Sequence, residues 1–395
     1  MWLSEQILYH LAKALYRSEL VLTGEMKQAL SHRQLMAQNI MVATVQGDIY
    51  YLRNGRVPIR AKGVDPSRPI PGNTRATEWQ GIHPISDLVQ IENPPCGWMQ
   101  NCNCSPMAMM NRDQPRMEAF AAHPYLYNDS PTRTTHQRAE MMNDLLEAAD
   151  KVTVDQAVGI AFSTQVWHAE HWQARLKAAW KSASDVDKSG DTSLVYTLIQ
   201  EWNRRSDPDS KGALAYYEFK KALDGKAAGE TEPPSNLTDA QLLESLRKGA
   251  SATRTFFGEV AVPFGRYFRV GRRGGDQSWP VGGGSFRDVA MAAPRAISFS
   301  SSADGKQMIG HSGQSSTQVV IMTDPPESYA VIPLGESDHK ESGHFDDQAE
   351  KLFSKGKALQ TYFLRPDELM KHISSKKVLI PGNLTQRRKD ANASS

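Results

Sequence analysis

Two aspartate-rich segments have the spacing of calcium-binding loops. The segments DVDKSGD (185–191) and DPDSKGALAYYE (207–218) carry Asp at the first and third positions and Gly at the sixth, as helix–loop–helix calcium sites do. In the first segment, Tyr196 occupies the twelfth position, where such a loop has glutamate. In the second, Lys211 stands at the fifth position, where an oxygen ligand belongs and a cation repels calcium. The spacing therefore predicts a connection between helices, and a calcium-binding module stays open only as a rival hypothesis.

Serine and cysteine side chains that could do covalent or metal chemistry lack the context for it. In GHSGQS (310–315), Gln314 stands where a nucleophile elbow needs glycine, and the segment that follows has a strand pattern instead of a helical one. Cys96, Cys102 and Cys104 have poor spacing for zinc, and no second pair of ligands follows them. The odd number of cysteines leaves at least one thiol without an intrachain partner. We therefore predict packed or free thiols.

The elements that position these residues alternate between strand and helix. Residues 38–53 predict two strands joined by a turn at Gln46–Asp48. Helical periodicity begins at Gln137 and continues to about Leu223, with a helix start at Thr153 and further helices near 168–182, 193–204 and 213–223. Short β-rich runs return as YFRV, RAISFS, TQVVIM and YAVIPL. This order predicts an α+β fold in which a helical lobe is inserted between strand regions.

Composition shifts divide the chain into five predicted segments. They are 1–136, part of a sheet core with long loops; 137–224, the helical lobe; 225–236, a linker (GKAAGETEPPSN); 237–382, an α+β portion that returns to the core; and 383–395, a loose polar tail. The first seventeen residues have helical spacing and lack the basic start and cleavage site of a signal peptide. We interpret them as a helix inside a domain, and the chain as incomplete.

Net charge and hydropathy argue against two classes of partner. Lys and Arg number 46 and Asp and Glu 44, so no overall field favours nucleic acid. The basic, aromatic run GRYFRVGRR (265–273) is only one strand long and predicts a solvated strand edge. No run approaches the ~18 apolar residues that a membrane span needs. We expect neither nucleic acid nor a membrane as a partner.

Several spaced motifs occur in one order between Asp65 and Gln348. They are DP-x-x-P-x-PG (65–72), W-x-G (79–81), NPP-x-G (93–97), QN-x-N-x-SP (100–106), RAEMMNDLLEAADKVTVDQA (138–157) and GESDHKESGHFDDQ (335–348). This series resembles the β-chain of the penicillin acylase family over about residues 35–370, with gaps between 160 and 290. The family includes acylases of penicillins, acyl-homoserine lactones and lipopeptides. It is described as a family of N-terminal-nucleophile (Ntn) hydrolases.

The resemblance implies both a fold and a reaction. The fold would be the C-terminal portion of a four-layer αββα Ntn-hydrolase sandwich with a helical lobe. The reaction would be hydrolysis of an acyl amide to a carboxylic acid and an amine, by a serine whose own α-amine acts as the base. That serine should lie well upstream of Asn39, where the sequence has no room for it. The expected partners are the missing upstream acylase segment (the α-chain and the N-terminal part of the β-chain) and a small-molecule acyl amide.

Two catalytic positions are carried over by matching residues. The family's oxyanion-binding asparagine falls on Asn103, whose neutral amide can donate hydrogen bonds. The family's arginine, which holds that asparagine, falls on Arg138. Cys104 departs from the family, which commonly has a second asparagine there.

The sequence leaves open whether the protein binds calcium, where it is located and whether it is catalytically active. The long segment 107–136 leaves the family's acidic calcium ligand unplaced, and Pro66 alone matches a ligand position, so we assign no metal and no cofactor. Family members are usually periplasmic or secreted, although nothing in this sequence directs export. The alternative to a piece of a working acylase is a non-catalytic remnant that serves as a binding or structural partner. The acyl chain and the amine are not determined by the sequence.

Overall fold

A computed structural model describes residues 26–33, 35, 37–65, 68–127, 137–272 and 277–376. The α-helices of these residues are α1 (Lys27–Ser31), α2 (Gln137–Glu147), α3 (Val154–Ala161), α4 (Ala169–Trp180), α5 (Gly190–Gln200), α6 (Lys211–Lys221), α7 (Asp239–Phe257), α8 (Phe264–Tyr267), α9 (Asp347–Lys351) and α10 (Pro366–Met370). The strands are β1 (Gln38–Ala43), β2 (Ile49–Asn54), β3 (Gln90–Glu92), β4 (Phe268–Val270), β5 (Trp279–Pro280), β6 (Ser285–Phe286), β7 (Met291–Ala292), β8 (Ile297–Ser301), β9 (Met308–Gly313), β10 (Thr317–Ile321), β11 (Glu327–Val331) and β12 (Leu359–Thr361). Helix and sheet occupy different stretches of the chain, as in an α+β fold.

The hairpin predicted for residues 38–53 is confirmed. Strands β1 and β2 pair antiparallel from Gln38 opposite Asn54 to Ala43 opposite Ile49, and β3 extends the sheet on the other side of β2. The central strand β2 is the most buried of the three because it has a neighbour on each side. The turn contains Gly47 at a φ of +93°, a conformation that a side chain disfavours.

The helical stretch is also confirmed, with its ends fixed by side-chain caps. Thr153 and Gln156 form a reciprocal capping box at the start of α3, and Thr238 and Gln241 form a second at the start of α7. Helices α4, α5, α6 and α7 enclose one hydrophobic core with Trp172 at its centre. Burial of aromatic and aliphatic side chains is the main favourable contribution to such a core.

The connection between α6 and α7 is held closely against the helices. The indole Nε1 of Trp172 donates a hydrogen bond to the carbonyl of Thr231 at 2.9 Å, and Nζ of Lys220 donates to the carbonyl of Glu230 at 2.9 Å. Helix α7, which follows this connection, contributes Leu242 and Leu246 to the same core as α6. The helical core thus extends past residue 224, while the five-segment division of the chain remains a prediction.

The second half of the described chain forms three small sheets. Their strand orders are β5-β4-β9-β8, β10-β11-β12 and β6-β7. Strands β4 and β9 pair in parallel, and the other pairs are antiparallel. The strands predicted from YFRV, RAISFS, TQVVIM and YAVIPL all form, as β4, β8, β10 and β11. In the described part of the chain, no helix combines the length and the hydropathy required to cross a bilayer.

Candidate active site

Asn103 lies in the loop that follows β3, in a conformation that suits asparagine. Its φ is +61°, in the left-handed region, which asparagine tolerates better than most residues with a side chain. Its backbone N–H donates to Oδ1 of Asn101 at 3.0 Å, two residues earlier, and this contact closes a tight turn. Asn103 itself is exposed, whereas Cys102 and Cys104 on either side are buried. The turn therefore presents the amide side chain at the surface of a packed loop.

The structure brings Asn103 and Arg138 together, although they are far apart in sequence. Arg138 is the second residue of α2, and its Nη2 donates to Oδ1 of Asn103 at 3.1 Å and to the carbonyl of Cys102 at 2.8 Å. A guanidinium group can only donate, so the asparagine must turn Oδ1 towards it and Nδ2 away from it. None of the described residues accepts a hydrogen bond from Nδ2 of Asn103. The arrangement leaves one oriented amide N–H₂ group with open donors.

A chain of hydrogen bonds connects this turn to the hairpin. The hydroxyl of Tyr51 on β2 donates to Oδ1 of Asn39 on β1 at 2.6 Å. Nδ2 of Asn39 donates to Oδ1 of Asn101 at 3.2 Å, the same oxygen that accepts from the Asn103 backbone. Burial raises the pKa of Tyr51, so its hydroxyl stays protonated and remains a donor. Neither Tyr51 nor Asn39 could be identified from the sequence, and only the spacing of Asn101 two residues before Asn103 signals part of this chain of hydrogen bonds.

The floor of the loop is apolar and contains the cysteines. Cys102, Cys104 and Met109 are buried in a cluster that also includes Tyr51 and Val89. The three cysteines of the chain are free thiols. Burial raises the pKa of Cys102 to about 11 and also raises that of Cys104, so both behave as packed neutral side chains at neutral pH.

Two side-chain amides that donate to one backbone carbonyl brace the same loop. Gln100 donates through Nε2 to the carbonyl of Ala108 at 2.6 Å, and Nδ2 of Asn143 on α2 reaches that carbonyl at 3.2 Å. Cys104, where the family commonly has asparagine, lies with its Sγ 3.7 Å from Nε2 of Gln100. Buried apolar side chains and the hydrogen bonds of Gln100 thus support the loop that carries Asn103.

Three aspartates of the calcium-like segments form ion pairs. Arg247 donates to Asp187 at 2.6 Å, and Arg254 donates to Asp191 at 2.7 Å. These hydrogen bonds from arginine lower the pKa of both carboxyl groups. In the second segment, Arg205 donates to Asp207 at 2.9 Å. The carboxylates serve as anchors between helices and loops.

Two other sequence candidates are placed as follows. Ser312 lies in the exposed half of strand β9, without the strand-to-helix turn of a nucleophile elbow. Pro66 lies outside the described residues, so the structure gives no information on the calcium position that it could match.

Comparison with known proteins identifies relatives of the chain. Penicillin G acylase of Escherichia coli is 32% identical over 252 residues, which are 63% of this chain and 25% of that protein. Penicillin acylase 2 proenzyme of Pseudomonas sp. (strain SE83) is 30% identical over 189 residues, which are 48% of this chain and 22% of that protein. The chain therefore spans about a quarter of the length of the curated relatives that it matches.

The fold is similar to that of a solved relative. Thermostable penicillin G acylase from Alcaligenes faecalis superimposes with a TM-score of 0.58 over 96% of this chain and 73% of that chain, at 13% sequence identity. The family model described as penicillin amidase matches residues 21–368, which include both Asn103 and Arg138. The chain belongs to the penicillin amidase family.

Proposed function

We propose that this chain supplies the oxyanion-binding part of an acyl-amide hydrolase. In this proposal, Nδ2 of Asn103 donates to the oxygen of the scissile carbonyl, and Arg138 acts as a positioning residue that keeps the amide in the correct orientation. The observation that carries the proposal is the contact of 3.1 Å between Nη2 of Arg138 and Oδ1 of Asn103. It fixes which end of the amide faces outwards.

The proposed reaction proceeds through a tetrahedral intermediate. A serine hydroxyl adds to the carbonyl carbon, and the carbonyl oxygen takes up negative charge opposite the asparagine donor. The C–N bond then breaks, the amine leaves with a proton from the general acid, and water releases the carboxylic acid from the acyl-enzyme. One donor of this kind contributes about 3–4 kcal/mol to lowering the barrier.

We propose that an upstream acylase segment provides the serine and its α-amine. In the family such a segment also carries further strands, and the small sheets of this chain would complete the four-layer sandwich with them. The short share of the relatives' length that the chain spans supports this view. Asn103 is exposed, which leaves its donors accessible to a substrate bound between the two parts.

The proposal is tested by assembly with the upstream segment. The genomic sequence upstream of residue 1 is examined for a Gly-Ser or Gly-Cys-Ser junction, and the segment that it encodes is expressed together with this chain. Turnover of a chromogenic acyl anilide is then measured for the purified complex. The complex should hydrolyse the anilide, whereas this chain alone should give no turnover above a boiled control.

Variants identify the groups responsible. Asn103→Ala in the complex should reduce kcat by about 10²–10³. Arg138→Leu should also reduce kcat, and Arg138→Lys should recover part of the loss because it retains a cationic donor. Arg112, which pairs with Glu147 at 2.8 Å on the surface, is the matched control, and Arg112→Ala should leave turnover unchanged.

Two results would overturn the proposal. One is activity of the chain alone that Asn103→Ala abolishes, since this would mean that the nucleophile is within the chain. The other is a well-folded complex without turnover, which would favour the non-catalytic partner described above.

A further inference from the structure

Two histidines at the start of α4 and a glutamate from the connection before α7 bring three ligand atoms together. Nδ1 of His168 lies 3.1 Å from Oε1 of Glu232, and Nδ1 of His171 lies 3.4 Å from the same oxygen. Ligand atoms of the three residues all lie within 4.8 Å of one another. We propose that His168, His171 and Glu232 bind one zinc ion, which clamps α4 to the connection that precedes α7.

The two distances to Glu232 match those between neighbouring ligands of a zinc ion. Zinc binds imidazole nitrogen and carboxylate oxygen at about 2.0–2.2 Å in a tetrahedral arrangement, so two ligand atoms are about 3.3 Å apart. The two contacts with Glu232 fall on either side of this value. An ion bound here would lie off the line that joins two ligands, with its fourth position open to water.

The state of the His168 ring supports the proposal independently. Its Nδ1 is shielded from solvent and makes no hydrogen bond within the described part of the structure, despite its short distance to Glu232. A buried ring nitrogen without a partner is costly. A cation placed beside the line between nitrogen and carboxylate would satisfy both atoms where a direct hydrogen bond cannot.

The neighbouring structure holds the ligands in position. The Trp167 ring stacks on the His168 ring at a centroid distance of 3.5 Å and an interplanar angle of 19°. The backbone next to Glu232 is anchored by the hydrogen bond from Trp172 to the carbonyl of Thr231. Glu232 precedes Pro233, which restricts its backbone to extended conformations.

The ligand set selects the class of ion. Two imidazoles with one carboxylate suit zinc and similar transition metals, whereas calcium takes oxygen ligands only. Glu170 lies with its Oε1 4.0 Å from Nε2 of His171, the nitrogen that stays protonated when Nδ1 binds a metal. At 4.0 Å this contact is too long for a hydrogen bond, so Glu170 adds negative charge beside the ring without accepting its proton.

Competition with a chromophoric zinc indicator tests the site. The full chain, without an affinity tag and after treatment with EDTA, is titrated with zinc at neutral pH and at matched calcium concentrations. We expect one equivalent of zinc with micromolar or tighter affinity, and no displacement by calcium. His171→Ala and Glu232→Gln should each weaken binding at least about tenfold. His344→Ala, which removes a surface histidine paired with Asp347 at 3.1 Å, should bind zinc like the unmodified chain.

Thermal unfolding provides a second measurement that does not depend on the indicator. Zinc should raise the unfolding midpoint of the unmodified chain and of His344→Ala, and EDTA should reverse the shift, because a ligand of the native state stabilises it. Glu232→Gln should show a clearly smaller shift at the same zinc concentration. Both His171 and Glu232 are largely exposed, so these variants should fold even if a change at His168 disturbs its stacking on Trp167.

The proposal fails if zinc binds the unmodified chain no more tightly than it binds His171→Ala and Glu232→Gln. It also fails if His344→Ala loses as much affinity as they do. Neither result bears on Asn103 and Arg138, which form a separate site.

Discussion

Three glycines inside helices allow a graded test of how tightly the helical core is packed. A Cβ added at Gly212 on α6 would lie 2.5 Å from Cβ of Trp202 and 2.6 Å from the carbonyl oxygen of Leu198. A Cβ at Gly249 on α7 would lie 3.0 Å from the backbone of Glu218. A Cβ at Gly159 on α3 would meet nothing within 4 Å. Alanine at these positions therefore isolates close packing from helix propensity.

The expected magnitudes follow from these distances. Gly159→Ala should stabilise the protein by about 0.5–1 kcal/mol, because alanine loses less conformational entropy than glycine in a helix. At Gly212 the same gain is opposed by a clash with backbone and Cβ atoms that cannot rotate away. Overpacking of this kind costs about 1–3 kcal/mol or more, so the net change should be a loss of about 1–3 kcal/mol. Gly249→Ala should lie between the two, within about 1 kcal/mol of the unmodified protein.

Thermal unfolding monitored by tryptophan fluorescence measures the series. A change of 1 kcal/mol shifts the midpoint by about 2–4 °C in domains of ~150–250 residues, so Gly159→Ala and Gly212→Ala should differ by several degrees or more. Far-UV circular dichroism of each variant confirms that helix content is retained. If Gly212→Ala proves as stable as Gly159→Ala, the close contact of Gly212 with Trp202 and with the Leu198 carbonyl is contradicted.

Three further outcomes are expected. Burial lowers the pKa of Lys220 to about 6, against 10.5 in an open chain, so between these values the unfolded state binds a proton that the native amine does not. The free energy of unfolding should then rise by about 1.4 kcal/mol per pH unit more than it does in Lys220→Met. Urea titrations across the neutral to mildly alkaline range measure this slope for both proteins, and equal slopes would contradict the lowered pKa. Iodoacetamide at mildly alkaline pH should modify Cys96 well before Cys102, because burial raises the pKa of Cys102 to about 11. Peptide mass spectrometry measures the labelling of each cysteine, and equal rates would contradict this expectation. Calorimetry should detect no micromolar calcium site at 185–218, because arginines occupy the carboxylates of Asp187 and Asp207; a site lost on Asp207→Ala would reverse this conclusion.

Local patterns predicted the secondary structure well because each element carries its own signal. The hairpin of 38–53 has β-branched and aromatic residues on the two sides of a turn glycine, and α3 begins at a Thr-x-x-Gln capping box that can be recognised in the sequence. Such features depend on neighbours within a few positions. The same holds for β10, whose β-branched residues favour an extended backbone.

Tertiary partners could not be derived in the same way. Asn103 and Arg138 were identified by matching residues to a family, and nothing in their spacing of 35 positions indicates that they touch. The contribution of Tyr51 and Asn39 depends on the register of a hairpin against a distant loop. The sequence also did not show that α7 packs in the same core as α6. The Pro/Gly-rich composition of the connection between them is the same for a free linker and for a loop that is hydrogen-bonded to the helices.

The chain of hydrogen bonds from Tyr51 to Asn103 determines at which step, folding or binding, the Asn103 side chain loses its conformational entropy. Immobilising a polar side chain on binding costs about 0.5–1.5 kcal/mol. Here the Asn103 amide is already held by Arg138 and by the turn that Asn39 supports, so this ordering takes place as the chain folds. A substitution at Asn39 would transfer the ordering to the binding step. The variant would remain fully folded but would bind a transition-state analogue more weakly.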